Sequence, residues 1–458
     1  MSGTDPGHPS DEVRPPWSSS DRLLPRRLVR PLQEFLSTAT ASATLLLVAA
    51  TAALLWANSP WGDGYRRLWA TDLGAVLGSW SISMDLRHWL NDGLMALFFL
   101  VVGLEIKREL LTGELRDRRE AALPAIAALG GMVVPAALYL ATTAGGEGSH
   151  GWGIPMATDI AFALGVLTLA ARHAPASVKP FLLTLAIVDD IGAILVIAVV
   201  YSRGLSWGWL GAASVVLIAI VALRRIQVRA QPVYVALGVV LWLCTLESGI
   251  HPTIAGVVMG LLTPAVPFQR PRAVSAEAVR AADETQDDPD PPDADAPQWL
   301  RLAWLSREAV SPLARVEHVL WPWTSFVILP LFALANAGVE LSVAAVRAAA
   351  SSTVTAGVIV GLVAGKTIGI SAASWVAVRL GVGRLPAGMR WPHLVGTAAV
   401  AGIGFTVSLF VADLAFEDEH LVAQAKVGIL AASLLAGTLG YLILRRSPST
   451  TDGSPSDG

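Results

Sequence analysis

Long apolar runs separated by short polar connections make up most of the chain. Runs of spanning length fall near 39–57, 89–106, 121–142, 153–171, 181–201, 207–223, 232–246, 251–265, 319–338, 355–379, 393–414 and 424–444. About 20 apolar residues carry a helix across a hydrocarbon core of roughly 30 Å. The pattern therefore predicts an all-α polytopic membrane protein of about twelve transmembrane helices, solvated by membrane lipid. The connections alternate in basic charge. One set holds Arg26, Arg27 and Arg30; Arg116, Arg118 and Arg119; Arg172 and Lys179; Arg224, Arg225 and Arg229; Arg384 and Arg390; and Arg445 and Arg446. The alternate set, 145–153, 201–206, 247–249 and 416–420, is poor in Lys and Arg. Basic loops stay on the cytoplasmic side, so an even helix number places both termini there.

Three stretches fall outside this bundle. Residues 1–32 and 446–458 read as disordered cytoplasmic tails flanking a membrane domain over 33–445. The first twenty residues lack the charged-then-apolar pattern of a cleavable signal, so the first membrane helix is expected to direct insertion. Residues 267–312 form a cytoplasmic loop with seven acids between Asp283 and Asp295, read as a solvated linker. On the opposite side, alternating apolar residues around Gly78–Ser79 predict a small β-hairpin over 74–86. Such a hairpin is marginal alone, and a second protomer is one partner for it, giving a homodimer.

Composition agrees with the pattern: of 458 residues, 53% are hydrophobic and only 15% charged, against about 25% charged in soluble domains. The formal charge of −3 says little, because a charged partner needs a patch and not a balance, and no nucleic acid is expected as a partner. Cys244 stands alone in an apolar setting, which excludes an intrachain disulfide and suggests inert packing. No Walker, Gly-rich nucleotide or zinc-protease motif is present, so neither nucleotide nor cofactor is expected.

The informative residues are the few polar ones inside the apolar runs. Asp189 and Asp190 sit in the middle of the 21-residue run 181–201, with no other charge in it. A carboxylate at mid-membrane costs about 2.5–3.5 kcal/mol on insertion scales, so two together point to an ion or proton site. Thr158 and Asp159 make the fourth span unusually polar, behind Pro155. The eleventh span carries Gly396, Gly402 and Gly404, then Thr406 and Ser408. Interrupted spans in corresponding positions of two repeats point to a site built from broken helices. Spans 3–5 and 10–12 form such a pair. Their offset by seven helices makes their topologies inverted, and the two breaks are expected to cross at mid-membrane. Lys366, in the tenth span, is neutralised by a partner at that depth or gives up its proton; structural pairing and proton carriage both fit. Asp189 and Asp190, about 100° apart on a helix, face different neighbours, so one can pair with Lys366 while the other faces a cavity. Carboxylates, the Thr158 hydroxyl and freed carbonyls are hard oxygen ligands suited to Na⁺ at Asp189 and Asp190. Competition of proton and cation for those oxygens, at a site facing each side in turn, is sufficient for antiport.

Over roughly residues 33–445 the chain resembles the NhaA-type Na⁺/H⁺ antiporters. The resemblance rests on WLNDGLMALFFLVVGLEIKREL from Trp89, ATDIAFALG from Ala157, LAIVDDIGAI from Leu185, LFALANAGV from Leu331 and AGIGFTVSLF from Ala401. It implies a secondary transporter in a bacterial cell membrane, exchanging Na⁺ or Li⁺ for H⁺ in pH and sodium homeostasis. It implies that Asp189 and Asp190 bind the ion and that Lys366 partners or competes with the first of them. Asp159 and Lys366 would offset the half-helix dipoles at the crossing. It further implies a pH-response cluster at Glu105, Arg108, Glu109, Glu317 and His318, with His251 a separate candidate. Against the family pattern, Trp321 replaces a familiar histidine, Ala314 a lysine and Thr367 a proline. The first two remove titratable groups from the cluster, and none touches the aspartate pair.

Two other readings compete. An intramembrane aspartyl protease needs acids converging from separate helices; Asp189 and Asp190 are adjacent, and Asp159 with Asp190 would leave Lys366 unexplained. A passive channel or a solute symporter would keep the fold and change the coupling.

Overall fold

The structure, a computed structural model, describes residues 39–77, 80–170, 174–202, 204–286 and 296–447. Arg26, Arg27, Arg30, Arg172, the Gly78–Ser79 turn, the acidic residues 287–295 and nearly all of both tails lie outside them.

The described residues open with α1 (Ala39–Ala57) and a short amphipathic α2 (Gly62–Trp69). Strands β1 (Asp72–Leu77) and β2 (Trp80–Asp85) then pair antiparallel, with Asp72 opposite Asp85 and Leu77 opposite Trp80. The membrane bundle continues with α3 (Met95–Thr112), α4 (Arg118–Thr143) and α5 (Ile160–Ala170), the last preceded by a 3₁₀ segment, Glu147–Met156. Next come α6 (Val178–Val200), α7 (Trp207–Arg225), α8 (Gln231–Ser248) and α9 (Thr253–Leu262). Helices α10 (Pro271–Gln286) and α11 (Ala296–Glu308) follow, then α12 (Pro312–Trp323), α13 (Leu329–Asn336) and α14 (Val343–Ala350). The chain closes with α15 (Thr353–Ile359), α16 (Lys366–Arg379), α17 (Trp391–Val400), α18 (Phe405–Ala415) and α19 (Glu419–Arg446).

Among the described residues, eight continuous helices are long and apolar enough to span a membrane, or ten when each bent pair counts as one span. Two further predicted spans are helical without meeting that standard. Helix α3 carries Glu105, Lys107, Arg108 and Glu109 in its second half, and α9 has only ten residues. Single π-helical turns join α12 to α13 (Thr324–Ile328) and α15 to α16 (Val360–Gly365), the second directly before Lys366. An extra residue in a turn re-aims the side chains beyond it, which is why such turns gather at functional positions.

The segment expected to be a solvated linker is a helical pair, which corrects that expectation. Its acids cluster at 283–295, whereas Val274, Ala281 and Leu302 supply buried apolar positions on α10 and α11. Glu308 is also buried, with Arg229 and Arg315 at 3.2 and 3.6 Å. Charge at one end obscured amphipathic periodicity at the other.

Small residues let the helices around the centre approach closely. Helix α4 packs along α16 where Gly130 faces Gly369. A Cβ on Gly130 would lie 2.3 Å from the Gly369 carbonyl oxygen, and one on Gly369 would lie 2.2 Å from that of Gly130. In lipid, where apolar burial gives no preference for helix over solvent, such contact supplies the packing.

Candidate ion site at two broken helices

Two spans break where they meet. The 3₁₀ segment Glu147–Met156 and α5 are bent by 50°, and α17 and α18 by 47°. In the first, Gly148, Gly151 and Gly153 weaken α-helix and Pro155 interrupts it, leaving Ala157 extended. In the second, Gly402 and Gly404 lie within 401–404. A Cβ on Gly402 would sit 2.4 Å from the Leu362 carbonyl oxygen, and one on Gly404 2.3 Å from Ser408 Oγ and 3.2 Å from the Ala157 carbonyl oxygen.

Broken helices leave backbone groups without intrahelical partners, and here each break satisfies the other. The Asp159 N–H donates to the Ile403 carbonyl at 2.6 Å. Thr158 Oγ1 lies 2.8 Å from the Ala401 carbonyl, and Ser408 Oγ donates to the Ile154 carbonyl at 2.8 Å. The Asp159 carboxylate takes the Phe162 N–H on Oδ1 at 3.0 Å, and the Thr406 N–H and hydroxyl on Oδ2 at 3.0 and 2.7 Å. One buried anion thus sits at the start of both α5 and α18, where the positive ends of two helix dipoles converge.

Beside this junction, α6 presents its aspartates. Asp189 and Lys366 are both fully buried, and Lys366 Nζ donates to Asp189 Oδ2. Lys366 Nζ also donates to Thr158 Oγ1 at 3.0 Å, which in turn lies 2.9 Å from Asp189 Oδ2. A threonine hydroxyl has one proton, so Thr158 donates to Asp189 or to Ala401, never to both. That proton ties the ion pair to the broken helix. Asp189 Oδ1 is buried without a hydrogen bond. Asp190 is 6% exposed and forms no hydrogen bond or ion pair with another described residue. Lys366 reaches the α17 break through Thr158 rather than by touching its carbonyls.

The remaining candidates divide between two places. Arg108 on α3 pairs with Glu317 on α12. Glu105 is half-buried on the same face of α3, Glu109 Oε1 accepts the Glu114 N–H at 2.7 Å, and His318 is exposed. Trp321 packs edge-on against Phe326. His251 lies elsewhere: its Nδ1 is 2.8 Å from Thr253 Oγ1 and its Nε2 3.4 Å from Asp92 Oδ1, with the ring against Phe410. Sequence reasoning did not single out Asp92, Glu308, or a second lysine–aspartate pair, the buried Lys426 with the half-buried Asp413. Asp413 lay in an apolar run, the signal that exposed Asp189, but close to its end.

A helical membrane bundle with two broken spans clasped around buried carboxylates and a lysine defines a polytopic membrane transporter rather than an enzyme. The family model described as Na⁺/H⁺ antiporter 1 matches residues 33–444, and the chain belongs to that family. It is 50% identical over 417 residues to Na⁺/H⁺ antiporter NhaA 3 of Frankia alni, covering 90% of this chain and 88% of that one. It is 46% identical over 423 residues to Na⁺/H⁺ antiporter NhaA of a Janthinobacterium species, covering 92% and 93%. Against NhaA of an Anaeromyxobacter species, identity is 47% over 436 residues, covering 93% and 94%.

Proposed function

We propose that this protein is an electrogenic Na⁺(Li⁺)/H⁺ antiporter that expels sodium in exchange for external protons, by alternating access of one site built on Asp189 and Asp190. The carrying observation is the unequal treatment of carboxylate oxygens. Asp189 Oδ2 is held by Lys366 and Thr158, while Asp189 Oδ1 is buried without a hydrogen bond and the Asp190 carboxylate has no hydrogen-bond donor among the described residues. Asp189 has Lys366 as its compensating charge, whereas Asp190, buried without one, is held by a proton or a cation. Oxygen donors fit a hard cation, so the two compete for one place.

Coupling follows from the same atoms. When a cation or proton neutralises Asp189, the attraction holding Lys366 weakens and the Thr158 proton turns to the Ala401 carbonyl. The change of charge is thereby passed to the break between α17 and α18. Two carboxylates accommodate more than one proton per Na⁺, hence net charge movement, whether Lys366 adds a proton of its own or only pairs with Asp189. The Arg108–Glu317 cluster, with Glu105, Glu109 and His318, lies toward the cytoplasmic end under the charge alternation of the loops, where it would report internal pH to α3 and α12. His251, beside Asp92, would act from the other side. Both termini are cytoplasmic in this orientation. The hairpin strands pair only with each other among the described residues, leaving edges that a second copy would extend.

The test is Na⁺-induced collapse of a preformed ΔpH in inside-out vesicles, read by a pH-sensitive dye at neutral to alkaline pH. Collapse by Na⁺ and Li⁺ is expected, and its loss in Asp190→Asn. Full exchange in Asp190→Asn, or no response to Na⁺, Li⁺ or K⁺ in the unsubstituted protein, would overturn the reading.

A further inference from the structure

The helical pair between α9 and α12 carries an apolar face that no other described element covers. Helix α11 packs on α10, with Leu302 buried on the one, Val274 and Ala281 on the other, and Arg301 3.4 Å from Glu277. Its outward side holds two adjoining rows with a spacing of four residues, Trp299 with Ala303 and Leu300 with Trp304. Trp299, Leu300 and Trp304 are 49%, 72% and 50% exposed. Neither indole N–H bonds another described residue. Val266, on the way into α10, and Val310, on the way out of α11, extend the apolar exposure to both connections with the bundle.

The base of the pair is fixed where membrane spans begin. Glu308, the last residue of α11, holds Arg229 and Arg315 on its carboxylate, and its carbonyl accepts the Gln269 N–H at 3.0 Å. Arg307 reaches Gln231 at 2.8 Å, and the Leu313 N–H donates to the Pro264 carbonyl at 3.0 Å. Gln231 and Pro312 are the first residues of two spans. A helix rises about 1.5 Å per residue, so Trp304 stands within about 6 Å of Glu308 whatever the tilt of α11. The headgroup layer is roughly 5–8 Å deep on each side of the hydrocarbon. Trp304 is therefore at headgroup depth. Trp299 and Leu300 share that depth when α11 lies along the surface.

We propose that α11 is an interfacial helix, laid in the plane of the membrane with Trp299, Leu300 and Trp304 seated among the headgroups and upper acyl chains of the leaflet at which α8 and α12 begin. That leaflet is the cytoplasmic one in the orientation above. Tryptophan suits the position, because its ring is apolar while its N–H reaches a phosphate or ester oxygen. Amphipathic helices with Trp and Leu on one face and charge on the other rest at this boundary. A soluble partner would have to reach Trp304 through the headgroup layer, which leaves lipid as the occupant. Arg315, held by Glu308, precedes Glu317 by two residues, so a seated α11 fixes the start of α12 on which the Arg108–Glu317 pair is built. This placement does not depend on the exchange reading.

The experiment attaches a nitroxide label at Leu300→Cys, Ala303→Cys or Ala276→Cys in the full chain carrying Cys244→Ala, reconstituted in vesicles of phosphatidylethanolamine and phosphatidylglycerol. Power saturation compares collisions with O₂, which concentrates in hydrocarbon, and with a water-soluble nickel chelate. The O₂-to-nickel ratio is expected to be several-fold higher at Leu300 and Ala303 than at Ala276, whose row on α10 also holds the exposed Arg272 and Arg280. Trp299→Asp with Trp304→Asp is expected to bring the Leu300 ratio down to the Ala276 value. Equal ratios on the two helices would overturn the proposal, since the face of α11 would then meet water. Labels at Leu300 and Ala303 shielded from both agents would also overturn it, because a second copy or another segment of this chain would be the cover. A Leu300 ratio unmoved by the two aspartates would overturn seating by the tryptophans.

Discussion

The backbone N–H and the hydroxyl of Thr406 both donate to a single oxygen of Asp159, at 3.0 and 2.7 Å. The other oxygen takes the Phe162 N–H. One side chain therefore caps two helices from spans far apart in sequence, and it does so with a charge of the sign that both helix starts favour.

Removing that side chain exposes two helix starts together. A cap is worth about 0.5–2 kcal/mol, so Asp159→Ala is expected to cost about 1–4 kcal/mol. Asp159→Asn keeps one acceptor oxygen and should fall between the two. Thermal unfolding in detergent gives the order; an Ala variant as stable as the unsubstituted protein would mean the caps contribute nothing.

Lys366 and Asp189 form a fully buried pair, and breaking such a pair from one side costs about 3–5 kcal/mol because a lone charge remains. Lys366→Met should therefore be strongly destabilised. Adding Asp189→Asn should restore part of the loss, since the residual carboxylate carries the cost. A double-substitution cycle measures the coupling. Additive losses in the double variant would count against mutual neutralisation as the role of the pair.

The legible part of the protein was whatever the apolar pattern or a misplaced charge could mark. Asp189, Asp190, Asp159 and Lys366 each interrupt an apolar run, and the structure brings them to one junction with Thr158. What the sequence could not convey is which atom meets which. That Lys366 goes with the first aspartate came from the family resemblance and not from the pattern, because the choice of Asp189 over Asp190 depends on helix rotation set by packing, including the π turn before Lys366. The reciprocal bonds of the two breaks join residues some 240 apart and involve backbone carbonyls, which carry no residue-type signal. Charge density also misled: the acids of 283–295 hid the helices on either side of them.

Those helices, α10 and α11, are anchored where they rejoin the bundle. The Gln269 N–H donates to the Glu308 carbonyl at 3.0 Å, and Arg307 reaches Gln231 at 2.8 Å. Between Arg229 and Arg315, the Glu308 side chain is only 7% exposed. Glu308→Gln keeps the shape and removes the charge that both arginines share. Hydrogen bonds to charged groups are worth about 1.5–3 kcal/mol. Amide exchange across α10 and α11 should therefore quicken by about tenfold or more, with the KM for Na⁺ unchanged. Unaltered exchange rates would show that the helices are held by apolar contacts alone.

The two glycines of the α17–α18 break differ in what a side chain would strike. At Gly404 the first obstacle is Ser408 Oγ at 2.3 Å, followed by a methyl of Leu362 at 2.8 Å, both ends of side chains that can be trimmed or turned. At Gly402 it is the Leu362 carbonyl oxygen at 2.4 Å, part of the backbone. Gly404→Ala should lower stability and ΔpH collapse, and adding Ser408→Ala should recover part of both. Recovery stays incomplete because Ser408 also donates to the Ile154 carbonyl at 2.8 Å, a bond worth about 1 kcal/mol. Gly402→Ala should be the more damaging change and should gain nothing from Ser408→Ala, since no trimming clears a backbone oxygen. Equal rescue of both variants would place the obstruction somewhere other than the approach of α16 and its preceding turn to the break.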